Sequence, residues 1–438
     1  MRLSGRLGAA IEILDDFEKR RVPLKTAIAD WSRSNRYAGA KDRAWISGLC
    51  LDALRRRNSL LATMDGAAQA GAARALTLAA ARFIWRMEIA DLSDASCEEP
   101  HGPGALTASE RQALSGASIT SDVDDFPEWL GPSVKRVFGD GSAAEMNAFS
   151  VRADIDLRLN PLKAQPEKSL QALKTVKAHQ SPLLSTAARI PAPDPSEKAP
   201  AVTVIPAFNK GWVEVQDLGS QITALAAGAV KGAQVLDYCA GGGGKTLALA
   251  ALMENTGQLY AYDIDARRLK PLYARAKRGG VKNLQVRSPA GEEGLEDLEG
   301  KMDVVFLDAP CSGAGTWRRH PDTKWRLRQT QLARRTEEQD AVLREGARYV
   351  KPGGRLIYVT CSFLMEENED RLDQFLANNN DFCAEDTIDA VLAPGRLTNE
   401  GVDQLRKCRT PAGALRLTPS RLGTDGFFIA SFRKSPPA

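Results

Sequence analysis

The chain has only three histidines in 438 residues, and its seven cysteines include no Cys-x-x-Cys pair. Zinc sites are built from such pairs and from clustered histidines, so no metal centre is expected. The cysteines lie at 50, 97, 239, 311, 361, 383 and 408, an odd number that offers no disulfide framework. Long apolar runs are also missing. The N-terminal one is broken by Glu12, Asp15 and Asp16, so neither a signal peptide nor a membrane span is expected and the protein is placed in the cytoplasm. Nor does one sign of charge dominate, because 59 Lys and Arg stand against 55 Asp and Glu for a net +4. No heptad or long apolar edge marks an obligate partner, so a monomer is expected.

Charge is concentrated instead in "WRRHPDTKWRLR" (317–328), where Arg318, Arg319, Lys324 and Arg326 surround a single Asp322 and two tryptophans are interleaved. Such a patch suits a polyanion with stacked bases, and these four side chains are the candidate contacts to it. The plainer alternative is a solvated loop leading into a helix.

Residues 1–140 read as helical. In "ISGLCLDALRRR" the apolar positions Ile46, Leu49, Cys50, Ala53 and Leu54 share one helix face, and the three arginines after them suit a helix C-terminus. The stretch 91–125, rich in Ser, Gly and acids, reads as loop. Residues 141–205 are expected to form a small α+β subdomain with "IDLRLNPLK" as its strand, ending in the proline-rich linker "PAPDPSEKAPA". From 206 to 438 short apolar runs alternate with helical patterns, the mark of a parallel α/β sheet. Ligands bind such sheets beyond the carboxyl ends of the strands, so the chemistry is expected in the residues that follow each strand.

One such place is "VLDYCAGGGGKT" (235–246), a glycine-rich turn between a strand and a helix. A phosphate-binding P-loop fits at Gly244, Lys245 and Thr246 but meets Cys239 where its first glycine belongs. A dinucleotide fingerprint meets Thr246 in place of its third glycine. An adenosyl-cofactor site needs an acid after the next strand to take the ribose hydroxyls, and Asp263 in "YAYDID" supplies it.

Two further strands end in cysteines. "DVVFLDAPCSG" runs from a buried strand into Asp308 and Cys311, and "LIYVTCS" puts Cys361 at the equivalent place. Two thiols facing one cleft suit methylation of cytosine carbon 5, a poor nucleophile. Adding a thiolate to carbon 6 makes carbon 5 enamine-like, and the adduct must then lose the carbon 5 proton and expel the thiol. Hydrogen bonding at the ring nitrogen would stabilise the adduct, and Asp308 is placed to provide it.

Taken together, "VQDLGSQ", "CAGGGGKT", "DAPCSGAGTWRRHPDTKWR", "VKPGGRLIYVTCSFLMEENE" and "DGFFIASF" resemble the RNA cytosine-5 methyltransferases of the Sun and nucleolar-protein type. The N-terminal "AKDRAWISGLCLDALRRR" is similar to the NusB-like RNA-binding domain attached to the bacterial enzyme that acts on small-subunit ribosomal RNA. The resemblance implies a Rossmann-like class I methyltransferase domain of the α/β class, S-adenosylmethionine as cofactor and 16S ribosomal RNA as substrate. It implies Cys361 as nucleophile, Cys311 as the residue that assists release, and Asp308 at the base and the cofactor. Cys239, Ala240, Gly241, Gly242, Gly243, Gly244, Lys245 and Asp263 would hold the cofactor. The chain departs from the family pattern at Gly241 and Gly242, where Ala-Pro is usual, and at Ala290, where an acid is expected after the third strand; Glu292 or Glu293 could stand in. The alternatives are a tRNA cytosine-5 methyltransferase, a P-loop nucleotidase and a non-catalytic RNA-binding assembly protein that keeps the fold.

Overall fold

The computed structural model describes residues 1–65, 71–98, 101–195, 197, 200–289 and 294–436. Ala290, Glu292 and Glu293, named for the acid after the third strand, lie outside the described residues. The chain divides into two compact units: Met1–Arg152 with Ala192–Ala199 and Trp317–Leu327, and a larger one made of the rest.

The first unit is helical. Helices Leu3–Arg20, Ala40–Arg55 and Ala72–Ala79 enclose a core of Leu7, Leu14, Phe17, Leu49, Cys50, Leu54 and Leu76, all shut off from solvent. The apolar face read at 46–54 is the face that is buried. The loop expected at 91–125 instead holds helices Ile89–Cys97 and Ala108–Leu114. The second begins with a capping box, in which Thr107 Oγ1 accepts from the Glu110 amide at 3.1 Å and Glu110 Oε2 accepts from the Thr107 amide at 2.8 Å. Polar residues that gave the stretch its loop-like composition are therefore helix starts. The boundary expected at 140 falls short, because helix Ser142–Phe149 also belongs to this unit.

In the larger unit the strands are β1 Ile155–Leu159, β2 His179–Gln180, β3 Ala187–Ile190, β4 Val213–Val215, β5 Gln234–Asp237, β6 Gln258–Tyr262, β7 Leu284–Arg287, β8 Met302–Asp308, β9 Val350–Thr360, β10 Phe382–Glu385, β11 Leu415–Leu417 and β12 Phe427–Lys434. The first four form an antiparallel sheet in the order β2-β3-β1-β4. Its last strand lies beyond the end expected at 205. The remaining strands form the main sheet, ordered β10-β12-β9-β8-β5-β6-β7 with β11 on β12. Strands β5 to β9 are mutually parallel, as expected, but β12 runs antiparallel to β9. Strand β11 returns to β12 through residues 418–426, too few for the crossover a parallel partner requires, so these two also run antiparallel.

From β5 the chain moves outward on one side through β6 and β7, then restarts on the other side with β8 and β9. That reversal opens a crevice at the carboxyl ends of β5 and β8, the position where open α/β sheets bind ligands. Among the described residues no helix is long and apolar enough to cross a membrane.

Candidate active site

Strand β5 delivers Asp237 to the crevice with no solvent exposure. Thr246 Oγ1 donates to its Oδ2 at 2.6 Å, while Oδ1 is buried without a hydrogen-bond partner among the described residues. Burial pushes the Asp237 carboxyl up to about 7, with the Thr246 hydrogen bond opposing and the Asp308 charge adding. The turn that follows needs glycine at two points. Gly241 and Gly243 have φ of 50° and 83°, and a Cβ on Gly243 would lie 2.2 Å from Leu272 Cδ1. The Gly241 amide donates to Asp263 Oδ2 at 3.0 Å, tying the glycine turn to the acid after β6. Asp263 is 1% exposed and also accepts from the Asp265 amide at 3.0 Å and pairs with Arg268 at 3.0 Å.

Lys245 turns away from any phosphate-binding role. Its ammonium pairs with Asp308 Oδ2 at 2.8 Å and sits 5.3 Å from the centre of the Phe427 ring. Burial works against the charged form, but Asp308, helped by Cys361 and Asp237, outweighs it, so Lys245 stays an ammonium. Burial also pushes the Cys239 thiol well up, and the charges of Asp237, Asp308 and Asp263 push it further. Cys239 is therefore a protonated wall of the crevice and no nucleophile. Of these three carboxylates Asp308 is paired with Lys245 and Asp263 with Arg268, so what argues against the P-loop reading is that its lysine is already held by Asp308.

Across the crevice the loops after β8 and β9 bring Cys311 Sγ and Cys361 Sγ to 3.4 Å. The loops are clamped to each other: the Gly315 amide donates to the Cys361 carbonyl at 2.9 Å, and the Gly426 amide to the Gly315 carbonyl at 2.7 Å. A Cβ on Gly315 would lie 2.0 Å from the Gly426 carbonyl oxygen, so this crossing has no slack. Beneath the thiols lies Glu367, fully buried. Its carboxylate accepts from the Ser312 amide at 2.6 Å, from Ser312 Oγ at 2.5 Å and from Gln339 Nε2 at 3.1 Å. Gln339 also donates to the Pro310 carbonyl at 2.9 Å. Burial raises the Glu367 carboxyl above its ordinary value against these hydrogen bonds. The surroundings of the two thiols differ: the hydrogen bond with Cys361, burial and the nearby Cys361 and Glu367 charges push Cys311 well up, whereas the Lys245 ammonium interacts with Cys361.

The larger unit thus assembles Cys239 to Lys245, Asp263, Asp308, Cys311 and Cys361 around one crevice. It does not include the four candidate RNA contacts, which belong to the helical unit. For two of them the expectation is corrected. Lys324 is 1% exposed and Arg318 4%, so neither can offer its charge to a phosphate. The Lys324 ammonium instead donates to the Arg55 carbonyl at 3.1 Å, between the rings of Trp317 and Trp325. Asp237 and Glu367 are two buried acids beside these residues that sequence reasoning passed over. The first carried a signal, an acid closing a buried strand just before a glycine turn; the second was hidden among the acids of "MEENED".

The sequence model of a family described as 16S rRNA methyltransferase RsmB/F matches residues 224–433. The ribosomal RNA small subunit methyltransferase B of Photorhabdus laumondii is 32% identical over 340 residues, covering 76% of this chain and 72% of that protein. Its namesake from Salmonella paratyphi C is 34% identical over 289 residues, covering 65% of this chain and 66% of that one. Among solved structures, the protein titled PH0851 is similar over 99% of both chains, with a TM-score of 0.71 and 25% identity. NSun6 from Pyrococcus horikoshii, solved with SFG, shares the fold over 72% of this chain and 100% of its own, with a TM-score of 0.60 and 22% identity.

Proposed function

Because the chain belongs to the ribosomal RNA small subunit methyltransferase B family, and so is an S-adenosylmethionine-dependent RNA methyltransferase, we propose that it methylates carbon 5 of a cytosine in 16S ribosomal RNA through a covalent adduct with Cys361. The observation that carries this reading is the 3.4 Å pair of thiols in unlike surroundings. One cysteine faces a lysine ammonium and the other a buried carboxylate.

S-adenosylmethionine supplies an electrophilic methyl group on a sulfonium cation. The crevice fits such a ligand: glycine allows close backbone approach, and Asp237 Oδ1 is a buried acceptor with no hydrogen-bond partner among the described residues. In this reading residues 239 to 245 and Asp263 hold it, Asp263 taking the ribose hydroxyls. Cys361, as thiolate, adds to carbon 6 of the cytosine, and the Asp308–Lys245 pair steadies the charge that develops on the ring nitrogen. After carbon 5 is methylated, transfer of its proton to solvent water restores the ring double bond and expels the Cys361 sulfur as a thiolate. The Cys311 thiol, kept protonated, hydrogen-bonds the departing thiolate. Arg319 and Arg326, part-exposed on the helical unit, remain the proposed RNA contacts. The cytosine must be unpaired or flipped to reach the crevice.

RNA carrying 5-fluorocytidine at the target tests the adduct with the native enzyme. Fluorine cannot leave carbon 5 as a proton does, so a denaturant-resistant protein–RNA band that needs S-adenosylmethionine is expected. Free RNA and unmodified protein after full reaction would refute covalent attack.

The buried acid gives a second prediction. Burial pushes the Asp237 carboxyl up to about 7, and a cation beside it favours the carboxylate and lowers that value. Below about 7 binding therefore releases a proton, and affinity for S-adenosylmethionine should rise with pH up to about 7 and level off above it, by roughly tenfold in all for each unit the carboxyl is lowered. Calorimetry in buffers of different ionisation enthalpy reads the proton directly. Asp237→Asn should flatten the pH dependence; an equally steep profile in that variant would place the titration elsewhere.

A further inference from the structure

A strongly basic helix of the larger unit has no part in the chemistry above. Helix Ala266–Gly279, "ARRLKPLYARAKRG", follows Asp263 and carries Arg267, Arg268, Lys270, Arg275, Lys277 and Arg278 with no acid among its residues. Other helices hold exposed charges in pairs of their own, Lys19 with Asp15, Arg334 with Glu338 and Arg348 with Glu345. Here four of the six cations are met from outside the helix. Arg267 pairs with Asp265 just before it, Arg268 with Asp263, and Arg275 and Arg278 both with Glu214 of β4. Lys270 and Lys277 are exposed, and no carboxylate among the described residues pairs with either.

Packing settles which face turns inward. Leu269, Leu272 and Ala276 close over Ala240, Leu247 and Ala261, and Arg275 Nη1 donates to the Gly242 carbonyl at 2.5 Å, so the helix is held against the glycine turn. On the solvent side Lys270, Tyr273 and Lys277 fall at i, i+3 and i+7 and form one row. Tyr273 is 61% exposed, which leaves its ring open to a partner. Past the helix C-terminus the exposed Lys163 adds another cation, lying so close to Gly280 that a Cβ there would meet its Cδ at 2.7 Å. We propose that this row is a docking surface for an unpaired stretch of the substrate RNA, with Lys270 and Lys277 meeting phosphates and Tyr273 stacking on a base between them. A lipid surface fits less well, because the apolar face that a basic amphipathic helix inserts into a membrane is here buried in the core. Strand β6, which feeds the helix, stands two strand spacings, about 10 Å, from β8 and its Cys311 loop. The row is thus within reach of nucleotides flanking the target cytosine. The inference deepens the proposed function and rests on it for which RNA is bound.

The full-length enzyme with Lys270→Gln and Lys277→Gln together, and separately with Tyr273→Ala, tests the row by filter binding to 16S ribosomal RNA across a salt series. The lysine pair should weaken binding at low salt by roughly tenfold and lower the slope of log Kd against log salt by about 1 to 2, the worth of two phosphate contacts. Tyr273→Ala should weaken binding by at least about fivefold with the slope unchanged. Both losses should appear in KM for RNA with kcat within about twofold of native, because the grip is the same in ground and transition states. A Kd for S-adenosylmethionine within about twofold of native, read by calorimetry, would show the crevice intact, as the proposal requires. Native RNA affinity and salt slope in every variant would overturn it. So would lost binding to vesicles of phosphatidylserine and phosphatidylcholine with RNA binding unchanged, which would make the row a lipid contact. Failure of the carbon 5 assignment would appear instead as label in another nucleoside, with these binding differences intact.

Discussion

Replacing Cys311 by alanine is expected to turn the enzyme into a trap that methylates once and stays joined to its RNA. The Cys311 thiol sits 3.4 Å from Cys361 Sγ and its surroundings hold it protonated. It is thus a hydrogen-bond donor to the sulfur that must leave, and a methyl side chain cannot replace it. Attack by Cys361 is left in place, because the Lys245–Asp308 pair that supports it is untouched. Steady-state turnover should fall by roughly 10²- to 10⁴-fold, the usual worth of a positioned acid or base. A denaturing gel should show the adduct with S-adenosylmethionine present. Cys361→Ala, lacking the nucleophile, should give no adduct and lose activity by at least about 10³-fold. The opposite pattern, a band with Cys361→Ala alone, would exchange the two roles.

The second large effect is expected at Glu367, which touches no substrate in this account. Its carboxylate gathers the Ser312 amide, the Ser312 hydroxyl and Gln339, and its backbone carbonyl accepts from Tyr358 Oη at 2.7 Å. Glu367→Ala would leave buried donors without an acceptor beside both cysteine loops. Each buried donor left without an acceptor costs about 1–3 kcal/mol, and with three such donors urea unfolding should show a loss of several times the smaller of these figures. Glu367→Gln retains one acceptor oxygen and fills the same volume, so its loss should be closer to about 1–3 kcal/mol. If the alanine variant unfolds at the native urea concentration, the carboxylate is not what joins the loops.

How much of this was legible depended on whether a residue's role was local. Strand β8 could be read as buried from Val304 to Leu307, and the position of Asp308 and Cys311 beyond it followed. Gly243 could be read because a positive φ and close packing leave few other choices of side chain. The helix face at 46–54 followed from its spacing. What stayed hidden involved distant partners. Lys324 and Arg318 looked like surface charge because nothing local reveals that Trp325, Lys324 and Asp322 meet the ends of helices some 270 to 300 positions earlier. Glu367 stood among neighbouring acids that its sequence context could not tell apart; its burial comes from Ser312 and Gln339, far away in the chain. The capping box at Thr107 and Glu110 was local, but its polar composition was weighed as loop.

The central claim is that this crevice puts a methyl group on carbon 5 of cytosine. Its most direct test is to incubate the purified enzyme with unmodified 16S ribosomal RNA and methyl-labelled S-adenosylmethionine, digest the RNA to nucleosides and locate the label by chromatography with mass spectrometry. The account requires the label in 5-methylcytidine, absent when Cys361→Ala replaces the native enzyme. Label on the exocyclic nitrogen of cytidine, on another base, or undiminished in Cys361→Ala would contradict it.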